Sequence, residues 1–238
     1  MIATRIVKLL HILRSPYFFR ALLKGTAAGI EHFRLLQKLD CQTIVDIGAN
    51  SGQFALVARR VWPEAMIYSF EPLSEPANVF QKIFNDDKKV KLFRHALGDK
   101  EESSIIHVTK AKDSSSLLPI SDRQTRIFPG TNEIETRIIN SFPLDKILSS
   151  SEIINPALIK VDVQGYELNV LKGCDRLLSN FRYIYVECSF IELYDGQALA
   201  SDVIKFLHQK NFFLCGAYNL YYDKNGVAVQ GDFLFQKV

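Results

Sequence analysis

Thr43-Ile44-Val45-Asp46-Ile47-Gly48-Ala49-Asn50-Ser51-Gly52-Gln53-Phe54 is the stretch that decides the fold. Its first five residues are apolar and branched around one acid, the pattern of a buried strand. A loop bounded by Gly48 and Gly52 follows. Phe54, Leu56, Val57 and Val61 then recur at helical spacing over Gln53–Val61. Outward from there the alternation continues. Strands are expected at Met66–Phe70, Lys91–His95, Ala157–Asp162 and Tyr183–Glu187, and helices at Glu75–Phe84, Tyr166–Leu178 and Ala200–Lys210. Ser104–Val108 reads as an added strand, and the region 109–136, with its serine run and Pro129-Gly130, as the most loop-like. Phe212–Cys215, Leu220–Tyr222 and Phe233–Phe235 read as closing strands, with Asn225-Gly226 as a hairpin turn. Strand–helix alternation of this kind makes an α/β fold, a mostly parallel sheet covered on both faces, here finished by an antiparallel hairpin.

The chain has 238 residues, 47% hydrophobic and 23% charged, which excludes disorder, collagen and coiled coil. A net charge of +3 gives no case for nucleic acid. Cys41, Cys174, Cys188 and Cys215 lie far apart without a C-x-x-C, so neither a zinc ribbon nor a disulfide framework follows, and a cytoplasmic location fits. No metal site is expected, because the histidines lack ligand spacing. Residues 1–40 read as an N-terminal helical extension before a domain at 41–238. In the first 24 residues apolar and basic residues alternate with a period near 3.6, predicting an amphipathic helix that Pro16 ends. That helix either packs on the flank of the domain, forms a substrate-side lid, or touches a membrane surface. A second helical stretch is expected from Ile30 to Leu39.

Ligands of open α/β sheets bind beyond the carboxyl ends of the strands. Those ends carry Asp46 with its glycine loop, Glu71-Pro72, His95-Ala96-Leu97-Gly98-Asp99, Asp162 with Gln164-Gly165, and Glu187. Glycines at 48 and 52 let a ligand approach the backbone. Glu71, nineteen residues after Gly52, is placed to accept both hydroxyls of an adenosine ribose. The spacing Gly48-x-x-x-Gly52 is not the G-x-G-x-x-G that cradles a pyrophosphate, and no phosphate loop occurs. An adenosine ligand without pyrophosphate, S-adenosylmethionine, is the better match.

At this point the chain resembles a family, the FkbM-type S-adenosylmethionine-dependent methyltransferases. Val45–Phe54, Phe70-Glu71-Pro72, Ala96-Leu97-Gly98-Asp99, the block Leu158–Glu167 with Val170-Leu171-Lys172-Gly173, and Val186-Glu187 are similar to its motifs in order over about 41–236. Gln164 departs from the Glu of many members. The resemblance implies a Rossmann-like seven-stranded class I methyltransferase fold. It also implies O-methylation of a sugar, glycan, lipid-linked or polyketide hydroxyl. Carried over, Asp46, Gly48, Ala49, Asn50 and Gly52 surround the methionine part of the cofactor. Glu71 and Pro72 lie at the ribose, Ala96 and Leu97 at the adenine, and Asp162 where the methyl leaves.

Candidate catalytic residues are Asp162, Glu187, His95 and Lys160. Lys160 and Asp162 share one face of a strand, so Lys160 either forms an internal ion pair or orients Asp162 or Glu187. His95 is either a base or a hydrogen-bonded strand end. Glu167 either caps its own helix or reaches substrate. Two other classes remain alternatives: a nicotinamide-dependent reductase on a similar sheet, and a non-catalytic nucleoside-binding module. Oligomeric state is not readable.

Overall fold

A computed structural model describes residue 8 and residues 10–238. Seven strands form the main sheet: β1 (Thr43–Ile47), β2 (Met66–Phe70), β3 (Val90–Phe93), β7 (Ala157–Val161), β8 (Tyr183–Ser189), β9 (Phe212–Tyr222) and β10 (Ala228–Lys237). Their order is β3-β2-β1-β7-β8-β10-β9. The first five positions run parallel, and β10 is antiparallel to both β8 and β9. This is the expected mostly parallel sheet with an antiparallel C-terminal hairpin. The chain reverses its strand order between β1 and β7, so the ends of these two strands open a crevice.

Five-residue strands buried on both sides explain the near-continuous apolar runs. Val45, Ile47, Ile159, Val161, Ile184 and Val186 face one layer, which includes helices Glu167–Gly173 and Ala200–Gln209. Ile44, Ile67, Leu158, Tyr183 and Tyr185 face the other, with helix Gln53–Val61. Ile12, Phe18, Ala21, Ala28, Leu35 and Leu36 belong to this second core. The segment before residue 40 therefore shares the core of the domain that follows. Its first helical residues stop at Arg14, just before Pro16, and Pro16 then opens a second helix, Pro16–Leu23, with Ser15 as its cap. The reason is local: proline suits the first helical position, and Ser15 Oγ accepts from Phe18 N–H at 3.4 Å. Ile30–Leu39 is shorter than expected, a 3₁₀ turn Ile30–His32 running into Phe33–Leu36.

Two further expectations need correction. Region 109–136 is not a single loop, since strand β6 (Glu133–Phe142) begins within it. It pairs antiparallel with β5 (Glu102–Thr109) and parallel with β4 (Ala96–Leu97) in a second, three-stranded sheet. Most of β6 is exposed, Ile138 by 79%, so no buried face stamps an alternating pattern on its sequence. The pieces Phe212–Cys215 and Leu220–Tyr222 are one strand, whose register with β10 shifts at irregularities that hide its continuity.

Helix Glu167–Gly173 approaches the turn after β4 so closely that a Cβ on Gly173 would collide with the Gly98 carbonyl. A Cβ on Gly98 would meet Tyr166 at an ordinary 3.5 Å. Gly173→Ala is therefore expected to cost about 1–3 kcal/mol in urea unfolding, and Gly98→Ala to stay within about 0.5 kcal/mol of the parent. Equal midpoints for the two variants would refute the packing argument.

Candidate functional site

A cleft of about 420 Å³ opens where the sheet order reverses. Its walls include Gly48, Ala49, Asn50, Glu71, Pro72, Ala96, Leu97, Lys160 and Asp162 from the strand ends. His95 stands at the same end as Ala96, its ring edge-on to Phe142 at 5.1 Å. Residues 112–117 cover another side. Lys8, Glu31 and His32 close a third, so the N-terminal segment is part of the wall.

The floor is built by register. Ser69, Asp46, Lys160 and Tyr185 are successive cross-strand partners on β2, β1, β7 and β8, and so share one face. Lys160 Nζ donates to the Gly48 carbonyl at 3.0 Å, and lies 3.3 Å from Asp46 Oδ1 and 3.4 Å from Asp162 Oδ2. Burial alone would lower the Lys160 pKa, but Asp162 and Asp46 reverse that and the net shift is upward. Asp46 is fully buried, does not line the cleft, and among the described residues is ion-paired with Lys160 alone. Burial raises its carboxyl despite the lysine.

Both glycines of the loop are required, for reasons other than ligand approach. A Cβ on Gly48 would strike the Asp162 carbonyl, and one on Gly52 would lie 2.8 Å from the Phe84 ring. Both take positive φ, +75° and +95°. Gly52 does not line the cleft; its role is to seat the helix start against Phe80 and Phe84.

Each backbone N–H of this loop is already used inside the protein. Gly48 and Ala49 donate to the Phe70 carbonyl at 3.1 and 2.9 Å, and Gly52 to Ala49 at 2.9 Å. Asn50 donates to Glu71 Oε2 at 2.9 Å and Ser51 to Asn50 Oδ1 at 2.6 Å. Among the described residues, no backbone N–H of 48–52 is left for a ligand, as the glycine loop of a pyrophosphate site would require. Glu71 takes a second N–H from Leu73 on Oε1 at 2.8 Å. Each of its oxygens thus keeps lone-pair capacity on the cleft side, the pattern that fits two hydroxyl donors. Burial pushes its pKa up to about 7, against the pull of those two N–H groups.

Asp162 is held by two hands, Lys160 on one oxygen and the Gln164 side-chain amide on the other at 2.7 Å. The same Gln164 Nε2 donates to Glu187 Oε2 at 2.9 Å, and Gln230 donates to Glu187 Oε1 at 2.7 Å. Glu187 does not line the cleft but supports Gln164, which does. Burial, then Asp162 and Asp232, drive its carboxyl well upward. Tyr194 donates to Gln164 Oε1 at 3.0 Å. Glu167 takes the N–H groups of Val163 and Gly165 at 3.1 and 3.0 Å, so it braces the turn before its helix and does not line the cleft. Sequence reading treated Gln164 as a mere departure and gave no role to His32, Gln230 or Tyr194. Gln164-Gly165 just past a strand end was the available signal for the first, and Gln164 takes a left-handed φ of +56° there; the others meet only in three dimensions.

Lys160→Met is expected to cost about 3–5 kcal/mol at pH 8, because Asp46 is left buried without a partner. The raised Asp46 carboxyl binds a proton more readily in the folded than in the unfolded chain, so the loss shrinks as pH falls toward 4. Adding Asp46→Asn should recover part of the loss at pH 8. Urea unfolding at both pH values checks this, and a pH-independent loss would contradict it.

Residues 46–214 match the family model described as Methyltransferase FkbM domain. The 2-O-methyltransferase NoeI of Sinorhizobium fredii is 32% identical over 174 residues, covering 68% of this chain and 69% of that protein. The hexuronic acid methyltransferase AglP of Haloferax volcanii is 27% identical, covering 60% of this chain and 54% of that protein. Among solved structures, TehB of Haemophilus influenzae matches with a TM-score of 0.50 at 9% identity, over 93% of this chain and 66% of that one, a likeness of fold alone. The chain belongs to the FkbM family, and is an S-adenosylmethionine-dependent methyltransferase.

Proposed function

We propose that this enzyme transfers a methyl group to a hydroxyl of a sugar or sugar-containing acceptor. The observation that carries the cofactor half of this reading is the glycine loop beside Glu71, whose own N–H groups are spent inside the protein while the Glu71 carboxyl borders the cleft. The same observation removes support from a nicotinamide-dependent reductase. S-adenosylmethionine would rest with its ribose on Glu71 and its adenine between Ala96, Leu97 and their neighbours. Its amino-acid end would face Asp162 and the Gly48–Asn50 loop. It supplies a methyl group on a positively charged sulfur, already activated for transfer. The carboxylates Asp46, Asp162, Glu187 and Asp232 around one buried lysine suit a cationic ligand.

The acceptor half rests on the cleft lining and on the relatives. Lys112, Asp113, Ser115, Gln124 and Gln230 present hydrogen-bonding groups to the open space. NoeI is a 2-O-methyltransferase and AglP a hexuronic acid methyltransferase. A polyhydroxylated ring meets such a wall with many donors and acceptors. Asp162, fixed by Lys160 and Gln164, orients the ligands it touches. We also propose a cytoplasmic location and a peripheral membrane contact. Tyr17, Phe19 and Leu23 are exposed beside the basic Arg14, Arg20 and Lys24, the composition of an interfacial helix.

Purified protein with methyl-labelled cofactor is expected to form a base-stable methyl ether on one of a panel of methyl hexosides, deoxyhexosides and hexuronides. A base-labile ester, or transfer only to non-sugar phenols, would overturn the acceptor reading. Glu71→Ala is expected to weaken cofactor binding by roughly 1.5–3 kcal/mol per lost charged hydrogen bond. With a free-state pKa of about 7 at Glu71, ribose hydroxyls favour its ionised form, so binding at pH 6 releases protons and tightens as pH rises through 7. Calorimetry in buffers of different ionisation heat reads that release, and Glu71→Gln should abolish it. An unchanged proton count in Glu71→Gln would remove Glu71 from the ribose.

A further inference from the structure

His32 stands on the 3₁₀ turn Ile30–His32, outside the stretch that matches the family model, and lines the cleft. Its Nδ1 lies 3.0 Å from Tyr185 Oη, and Tyr185 donates its single hydroxyl proton to Asp232 Oδ2 at 2.9 Å. Asn219 Nδ2 donates to the same Asp232 oxygen at 2.7 Å and to Tyr185 Oη at 3.2 Å. A phenol has one proton to give. With that proton on the Asp232 carboxylate and the two Asn219 amide hydrogens on Asp232 and Tyr185, Tyr185 Oη can only accept from His32, so Nδ1 carries the imidazole hydrogen although Asn219 Nδ2 also lies 3.3 Å from it. Nε2 is then the basic nitrogen, and it has no hydrogen-bond partner among the described residues. The side chain keeps 15% exposure, and it borders the cleft. Phe54 and Tyr185 hold the ring edge-on at 5.4 and 5.5 Å.

We propose that His32 is the general base of methyl transfer, its Nε2 accepting the proton of the acceptor hydroxyl, with Tyr185, Asn219 and Asp232 as positioning residues that fix its tautomer. The proposal rests on the O-methylation reading above. The step balances. The acceptor oxygen forms the bond to the methyl carbon, the bond from that carbon to sulfur breaks with its pair left on sulfur, and the hydroxyl proton ends on Nε2. The imidazolium then returns its proton to solvent. Lys160 stands at the same end of the cleft, its Nζ 5.8 Å from the centre of the Phe54 ring on which His32 packs. The strand-end candidates suit the task less well. Asp162 is tied on both oxygens, Glu187 is behind Gln164, and His95 stands by Ala96 and Leu97 at the far end.

The groups facing His32 are Tyr185 from β8, Asp232 from β10, Asn219 from β9, Asp46 from β1, and Glu31 on its own turn, itself paired with Lys8 at 2.8 Å.

Two independent arms test this. In the first, nitrogen-15 NMR of the full chain, with His32→Asn assigning the signal, is expected to show the neutral ring protonated on Nδ1 near pH 8. A ring protonated on Nε2 would overturn the proposal without reference to any acceptor. In the second, single-turnover transfer to the hexoside and hexuronide panel is measured with cofactor saturating. His32→Asn keeps an amide near the Nδ1 position, and should lower the rate roughly 10²–10⁴-fold while leaving cofactor Kd unchanged and flattening the acid limb. His32→Ala should regain rate with added imidazole. Wild-type rate and pH profile in His32→Asn would overturn the assignment. Absence of transfer by the wild type to every sugar probe would instead overturn the acceptor reading, and the NMR arm would still decide the tautomer.

Discussion

A single buried ammonium holds the site together. Lys160 sits in the middle of β7, where a charge is costly to bury unless it is paired and hydrogen-bonded. Its partners come from three places: Asp46 on β1, the Gly48 carbonyl at the start of the loop, and Asp162 just past its own strand. The ion therefore couples the ends of the two central strands. It sets how far apart β1 and β7 open, and the cleft begins at that opening. The closeness of the two strand ends is what forbids a side chain at position 48, since the Asp162 carbonyl occupies the place of its Cβ. Charge pairing and glycine geometry are one constraint seen from two sides.

That constraint also accounts for what was legible in the sequence. The parallel strands read clearly because both their faces are buried, and burial writes an apolar run directly into the chain. The shared face of Lys160 and Asp162 followed from a period of two. The strand β6 stayed hidden for the opposite reason, since Ile134 and Ile138 face solvent and no core selects its pattern. Asp46 and Gly52 were placed near a ligand because they stand in a loop that precedes a helix. Spacing cannot tell a residue that touches ligand from one that shapes the loop beneath it, and both do the latter. His32 was beyond reach altogether. Nothing local marks it, and its partners Tyr185, Asn219 and Asp232 lie more than 150 residues away.

The loop geometry and the charge distribution agree on the kind of ligand the cleft takes. A dinucleotide site spends its loop N–H groups on phosphate oxygens. Here those groups are consumed by Phe70, Glu71, Asn50 and Ala49, so the loop's own amides are not available to phosphate oxygens. At the strand ends Glu71 and Asp162 then face the cleft with carboxyl groups instead of amides. A ligand with a diol and a positive centre gains from both features, and a diphosphate gains from neither.

The same crowding of acids argues where a proton can go during transfer. Each carboxyl that approaches the cleft floor is committed: Asp46 to Lys160, Asp162 to Lys160 and Gln164, Glu187 to Gln164 and Gln230. Placing a further proton among them would loosen the pairs that define the floor. An imidazole held from outside that network carries no such cost, because its Nε2 is bonded to none of the pairs that define the floor. The N-terminal segment delivers that ring by packing Ile12, Phe18, Leu35 and Leu36 into the core on the face of the sheet where Tyr185 stands. A residue far from every strand end thus reaches the reaction space because its own segment is buried. This is the physical sense in which the segment from Ile12 to Leu36 belongs with the sheet that follows it.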